Sequence, residues 1–219
     1  VQKYASDAFK TAGLSANEYM STVTSFSASL LQSLGGDTAE AAAYADRAIT
    51  DMADNANKMG TSITSIQNAY QGFAKQNYTM LDNLKLGYGG TKAEMERLIA
   101  DANRLKEANG EMADLSIDSF ADITEAIHLV QTEMGITGTT SLEAASTIQG
   151  SCSMMKAAWH NLVTGLADEN ADFDKLLGNF IDSVSTFGKN LIPKIEVALN
   201  GVVKLIRNLA PKIVDTIPS

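Results

Sequence analysis

The segment MLDNLKLGYGGTKAEM, residues 80 to 95, groups three glycines with a threonine and a lysine, as a phosphate-binding loop does. A P-loop has the order G-x-x-x-x-G-K-[ST] after a hydrophobic strand, so that backbone N–H groups surround the phosphates and the lysine reaches them. Here Thr91 precedes Lys92, and the preceding residues NYTMLDNLKL lack the β-branched pattern of a strand. Thr91 and Glu94 instead have the spacing of a helix capping box, with glycines in the turn before it. We therefore predict no nucleotide binding at Gly87 to Lys92.

The two histidines and the single cysteine lack the spacing of a metal site or a catalytic pair. His128 and His160 have no ligand three or four residues further on, where a helical metal pair would need it. Cys152 lies on an apolar stripe, where a free cysteine behaves as a small hydrophobe, and no nearby base can be identified to form the thiolate. We expect no catalytic residue, no metal ligand and no cofactor, and therefore no enzyme.

Two acidic clusters contain oxygen ligands that a cation could use. The segment DMADNANK resembles part of a calcium loop, but it lacks the glycine at loop position six and the terminal glutamate. The segment ADENADFD forms an acidic turn between two apolar stretches, and a solvated loop is the interpretation we favour there. The side chains concerned are Asp51, Asp54, Asn55 and Asn57 in the first segment and Asp168, Glu169, Asp172 and Asp174 in the second.

Composition favours packed helices. The chain has 219 residues, of which 45% are apolar and only 6% aromatic, with nine methionines and no proline before Pro193. This is enough apolar material for a real core, and long uninterrupted helices are permitted. The net charge of −9 argues against a general nucleic-acid binder, which needs clustered Lys and Arg. One cysteine rules out an internal disulfide framework and fits a reducing cytoplasm.

Charge divides the chain into two regions. Residues 1 to 170 hold 21 acidic and 11 basic side chains, whereas residues 171 to 219 hold five and six and are more apolar. We predict an acidic helical region over 1–170 and an apolar, mildly basic amphipathic unit over 171–219. No secretory signal and no run of 18 apolar residues occurs. The initial valine and the abrupt end lead us to expect a piece of a longer protein.

Helix start and stop signals recur along the chain. A Ser, Thr or Asp is followed three residues later by an acid, and a glycine comes at the far end of several segments. The starts are Ser15 with Glu18, Asp37 with Glu40, Thr91 with Glu94, Ser119 with Asp122 and Thr140 with Glu143. We predict an all-α fold of seven to eight helices with short connections, broken near residues 35, 60, 88, 110, 135 and 170.

Apolar residues step by threes and fours, which places them on one face of each helix. One such series runs from Ile148 through Cys152, Met155, Trp159 and Leu162 to Leu166, and it predicts a helix that continues through Gly150. The last and most regular series comprises Phe173, Leu177, Phe180, Val184, Phe187, Leu191, Ile195, Leu199, Val202, Ile206, Leu209 and Ile213.

This last series, the C-terminal stripe, contains an extra step of four beside Pro193. The step fits either a coiled-coil stutter or a helix break with Pro193 in the first turn of a new helix; we favour the break. In a compact chain the stripe would fold back as a hairpin at Lys189 to Pro193. In an assembly it would pack against another copy, so we predict it to be a self-association surface.

Three long stretches resemble the core region of tail tape measure proteins from prophages of Gram-positive bacteria. They are QGFAKQNYTMLDNLKLGYGGTKAEMERLIADA, ADITEAIHLVQTEMGITGTTSLEAASTIQGS and MKAAWHNLVTGLADENADFDKLLGNF, and the resemblance extends from about Leu14 to the end. It implies a mostly helical chain in the tail lumen of the virion, made in the bacterial cytoplasm. Such chains set tail length, contact tail tube and tail assembly proteins, and leave ahead of the DNA. The family has no common catalytic residues.

Two alternatives remain open. A membrane-active segment would use the amphipathic stretch 189–213, in which the basic residues outnumber a single acid, Glu196. A cell-wall hydrolase would need a convergent catalytic site, and the sequence shows none. The basic residues are Lys189, Lys194, Lys204, Arg207 and Lys212.

Overall fold

The computed structural model describes residues 1–214, with the side chains of residues 1–204 and 207. Over this range the chain forms nine α-helices and a short 3₁₀ turn at Leu81–Leu84, and no strand occurs within it. This confirms the all-α prediction, with nine helices against the seven to eight expected. The helices are α1 Gln2–Thr11, α2 Ala16–Ser33, α3 Thr38–Met59, α4 Ile63–Phe73, α5 Lys92–Ala108, α6 Phe120–Glu133, α7 Thr139–Ser146, α8 Ile148–Gly165 and α9 Phe173–Val214.

Local signals explain most helix ends. Ser15 and Glu18 form a complete capping box at the start of α2, where the Ser15 N–H donates to Glu18 Oε2 at 2.8 Å. At the far end of α3, Gly60 has φ +65°, a left-handed conformation that glycine adopts without strain. The predicted breaks near 35, 60, 110, 135 and 170 lie in connections between helices. The break near 88 lies in the longer connection 74–91, which includes the 3₁₀ turn.

The helix that carries the Ile148–Leu166 series does run through Gly150, as predicted, but the segment between the predicted breaks at 135 and 170 holds two helices. α7 ends at Ser146, and α8 begins at Ile148 with Thr147 as its N-cap, whose hydroxyl accepts from Gly150 N at 2.9 Å. The two helices approach so closely that a Cβ on Gly150 would lie 2.4 Å from the backbone carbonyl of Glu143. The glycine therefore permits a tight corner between two helices.

One large apolar core joins α1 to α6. Its largest fully buried side chains include Tyr19, Phe26 and Tyr70, and Phe26 meets Phe120 edge to face with ring centroids 5.9 Å apart. A smaller cluster joins α1, α7 and α8, and Phe180 of α9 packs against it; its members are Phe9, Ala144, Met154, Ala157 and Ala158. We call helices α1 to α8 the body.

The predicted helix break at Pro193 was wrong, because α9 is one continuous helix of 42 residues. At a rise of about 1.5 Å per residue it is roughly 63 Å long. Proline lacks an N–H and crowds the carbonyl four residues earlier. Here both Pro193 and Lys189 are exposed, so water can reach the freed Lys189 carbonyl. The hairpin expected at Lys189 to Pro193 does not form.

Candidate interaction surface

The glycine-rich loop is closed by side chains of its own segment. Glu94 Oε2 accepts from Gly89 N at 3.0 Å, and Arg97 donates to the Gly87 carbonyl at 2.7 Å. Hydrogen bonds from Arg97 and from Gly89 hold the pKa of Glu94 below its usual value. Only half of the predicted capping box is present, since Thr91 accepts from Glu94 N while the Glu94 carboxylate turns to Gly89. A carboxylate thus occupies a backbone donor that a phosphate would need.

His128 is bonded to a buried carboxylate. Its Nδ1 lies 2.9 and 3.0 Å from the two oxygens of Asp51, which is only 1% exposed. The hydrogen bond to Asp51 raises the pKa of His128. Burial raises the pKa of Asp51 while the bond to His128 opposes that rise. Nearby, Arg47 pairs with Glu125, so the α3–α6 contact holds two polar pairs that link the helices.

The segment resembling a calcium loop lies within helix α3 and supplies structural hydrogen bonds. Asp54, which is fully buried, accepts from Gly138 N at 2.6 Å and from Thr140 N at 2.8 Å. It therefore caps the start of α7, where the N-cap is Gly138 and not the predicted Thr140. Asn55 donates to the Leu84 carbonyl at 3.0 Å. Asp51, Asp54 and Asn55 share one buried side of α3, but their hydrogen-bond partners lie 29 to 86 residues further along the chain.

The other candidate residues lie apart from one another. Cys152 is half-buried on α8, and His160 is exposed on the same helix. In the acidic turn, Asp172 accepts from Lys175 N at 3.0 Å and so caps α9. Among the described residues, no three His, Cys, Asp or Glu side chains are arranged to hold a metal ion.

Helix α9 packs against the body through only part of its apolar surface. The Phe180 ring lies 5.2 Å from Trp159, and Ser183 is almost fully buried. The last anchor is Asn190, whose Nδ2 donates to the carbonyls of Ala145 and Thr147 at 3.2 and 3.1 Å. Leu176, Phe180, Ser183 and Phe187 form the side of α9 that turns toward the body.

The adjoining side of α9 is apolar and exposed. A helix turns about 100° per residue, so Phe173, Leu177, Ile181 and Val184 share one side, next to the buried one. These four are 37% to 57% exposed, and Ile181 is the most open. On α8 and at its C-cap, Trp159, Val163 and Leu166 are apolar and exposed as well. We call these seven residues the outer face: Trp159, Val163, Leu166, Phe173, Leu177, Ile181 and Val184.

The apolar side continues beyond the body. Every side chain from Ile192 to Lys204 is exposed, including Ile195, Leu199 and Val202 of the predicted stripe. Of the rest of that stripe, Phe180, Phe187 and Leu191 are half-buried against the body. The side chains of Ile206, Leu209 and Ile213 lie outside the described ones. The C-terminal stripe is therefore partly buried against the body and partly exposed. Sequence spacing alone did not identify Ile181 of α9, or Trp159 and Val163 of α8, as exposed apolar residues next to it.

Charge is distributed unevenly along this surface. Residues 168 to 182 contain five acids and one lysine, whereas residues 189 to 207 contain four basic residues and one acid. The acidic turn and α9 together thus change from an acidic to a basic end along the chain.

Within the described residues, no helix has both the length and the apolar composition that crossing a membrane requires. No family model, curated protein or solved structure matches the chain.

Proposed function

We propose that this chain is a structural, non-catalytic segment of a phage tail tape measure protein. In this role it occupies the tail lumen of the virion, contributes to tail length during assembly in the bacterial cytoplasm, and leaves ahead of the DNA. Its partners are tail tube and tail assembly proteins and other copies of itself. The three stretches quoted above support the family, and they include the glycine-rich loop and the α8–α9 segment.

The observation that carries the proposal is the length and exposure of α9. Helix α9 has 42 residues, and its side chains from Ile192 to Lys204 are all exposed; in this proposal that part is a spacer whose exposed apolar residues need a partner outside the chain. A spacer that is paired with neighbours along its length can convert residue number into distance, about 1.5 Å for each residue.

Changes in the length of α9 test this directly in a prophage that encodes the protein. Deleting residues 191–204 removes fourteen residues, or two heptads, and should shorten the tail by about 21 Å; duplicating them should lengthen it equally. Tail length is measured by electron microscopy on purified particles. Gly201→Ala, which leaves residue number unchanged, serves as the control.

The duplication is the decisive variant, because a folding failure cannot make a tail longer. Tails of parental length in both the deletion and the duplication would contradict the proposal.

A second candidate function is contact with the host membrane while the DNA passes. The exposed part of α9 combines Ile192, Ile195 and Leu199 with basic residues, as helices that lie in a membrane interface do. Binding to anionic vesicles, weakened by Lys204→Glu with Arg207→Glu, would support this function. Equal partition of the parent and the variant would contradict it.

A further inference from the structure

The acidic and basic ends of α9 are complementary to each other. Three of the acids precede α9 in the acidic turn, and the other charges lie on this one continuous helix, so the two ends stay apart within a single chain because the predicted hairpin is absent. We infer that two copies of this chain pair through the apolar side of α9 in antiparallel orientation, with the crossing point near Gly188. The pairing is a property of the isolated protein and does not rest on the proposed function.

The apolar residues match in this arrangement. Around Gly188, an antiparallel pair places Ile181 of one copy opposite Ile195 of the other. Four residues further out, Leu177 lies opposite Leu199. All four are exposed in the single chain and lie on the same side of the helix. A two-fold axis then makes each contact twice, as expected for an isologous interface.

The charges select the orientation. Antiparallel pairing lays the acidic residues 168–182 of one copy along the basic residues 189–207 of the other, and does so at both ends. Parallel pairing in register would lay acid beside acid and base beside base, which is unfavourable. The midpoint between the acidic and the basic groups falls close to Gly188, the same position that the apolar residues indicate.

Gly188 suits a crossing point. It lies near the middle of the exposed apolar side, and a Cβ added there would meet no atom within 4 Å in the single chain. Its hydrogen side chain serves no packing purpose in the chain itself. At a crossing it lets two helix backbones approach closely, because the distance between helix axes depends on the side chains at the contact.

Disulfide cross-linking tests the orientation. Two proteins are made in a Cys152→Ala background, one with Ile181→Cys and one with Ile195→Cys, and both are mixed under mild oxidation. The antiparallel pair brings positions 181 and 195 together, so the mixture gives a covalent dimer. Each protein alone stays uncross-linked, because two copies of position 181 lie about 21 Å apart along the helix and a disulfide needs Cα atoms within about 7 Å.

Cross-linking of either protein alone would show parallel pairing and overturn the inference. A mixture that does not cross-link, with the parent chain monomeric in sedimentation velocity at high concentration, would also overturn it. That outcome would leave a membrane or another protein as the partner of α9.

Charge reversal gives an independent test. Glu169→Lys with Asp174→Lys, or Lys204→Glu with Arg207→Glu, should each weaken the dimer at least tenfold at low salt. All four substitutions together restore opposite charges and should recover most of the affinity. If the acidic pair of substitutions strengthens association, like ends meet in the dimer and the inference fails.

Matched glycine substitutions test the crossing point. Gly188→Leu should weaken the dimer at least tenfold, whereas Gly178→Leu, on another side of α9 and also without a neighbour within 4 Å, should not. Both should fold like the parent in dilute solution. Equal dimer affinities for the two variants would place the crossing elsewhere.

Discussion

At the residue scale, the polar side chains that most resembled a site act as connectors between helices. Asp51 bonds to His128 across the α3–α6 contact, and Asp54 caps α7 from α3. Both carboxylates are almost fully buried, and unpaired charges in such places would be costly. Hydrogen bonds to groups outside α3 explain why these two acids lie on its inner side, although their spacing is not that of metal ligands.

The first prediction concerns Asp54. Asp54→Ala leaves two backbone N–H groups at the start of α7 without their acceptor, so we expect the free energy of unfolding to fall by about 2 to 3 kcal/mol. Asp37→Ala removes an exposed cap from α3 and should cost about 1 kcal/mol. Urea unfolding measures both. Equal losses of stability in the two variants would contradict the larger contribution expected from the buried cap.

The second prediction concerns pH. Since bonding to Asp51 raises the folded-state pKa of His128, its stabilising effect is complete below the unfolded-state pKa of about 6.5 and is lost as pH rises through the higher folded value. The raised pKa of Asp51 acts in the same direction at lower pH. Stability should therefore decline from about pH 6 upward.

Urea unfolding at a series of pH values checks this. His128→Gln should flatten the decline, whereas substitution of the exposed His160 by Gln should leave it unchanged. The same decline in the His128 variant would assign it to another group.

At the element scale, glycines inside helices have two different uses. Gly150 lies where α7 and α8 meet, whereas Gly178 and Gly188 lie on different sides of α9, each with no atom within 4 Å of an added Cβ. The sequence shows only a helix-weakening residue in each case. In the structure, the close approach of α7 to α8 requires a glycine at position 150, whereas no contact within the single chain requires one at 178 or 188.

The third prediction follows from this contrast. Gly150→Ala places a Cβ 2.4 Å from a backbone carbonyl and should lower the free energy of unfolding by about 1 to 3 kcal/mol. Gly178→Ala meets nothing and should raise it by up to about 1 kcal/mol through helix propensity. Urea titration of the two variants gives the comparison, and effects of the same sign would contradict the account of the α7–α8 corner.

At the scale of the whole molecule, the described side chains of α9 pack against the body only as far as Leu191. A chain ending at Leu191 keeps every described contact of the body and should unfold at the same urea concentration as the full chain in dilute solution. A chain ending at Ala171 loses Leu176, Phe180 and Phe187 from the surface of α8. It should be less stable by about 3 kcal/mol, given about 1.5 to 3 kcal/mol for each large side chain fully buried.

Circular dichroism during urea unfolding measures the stability of both truncated chains and so tests this fourth prediction. If truncation at Leu191 were as harmful as truncation at Ala171, the second half of α9 would have to contact the body.

The sequence predicted the helix ends that depend on neighbouring residues, such as the Ser15–Glu18 capping box and the glycine after α3. It did not predict the cap that Asp54 gives to α7, because that contact joins distant parts of the chain. It did not predict the α7–α8 corner either, because in the sequence Gly150 is only a helix-weakening residue. It placed a break at Pro193 because proline disfavours helix interiors, but exposure of Lys189 lets water compensate. Apolar spacing identified the C-terminal stripe, whereas the division between packed and open sides depends on where α8 lies.

The contact between Trp159 and Phe180 has a spectroscopic consequence. Trp159 is the only tryptophan of the chain, it is half exposed, and it lies on the outer face at the α8–α9 contact. Its indole emission therefore reports on this one place without any added label. Detachment of α9 would bring water to the ring and shift the emission to longer wavelength, while a partner that covers the outer face would shift it to shorter wavelength. A single optical signal thus distinguishes loss of the helix from its occupation.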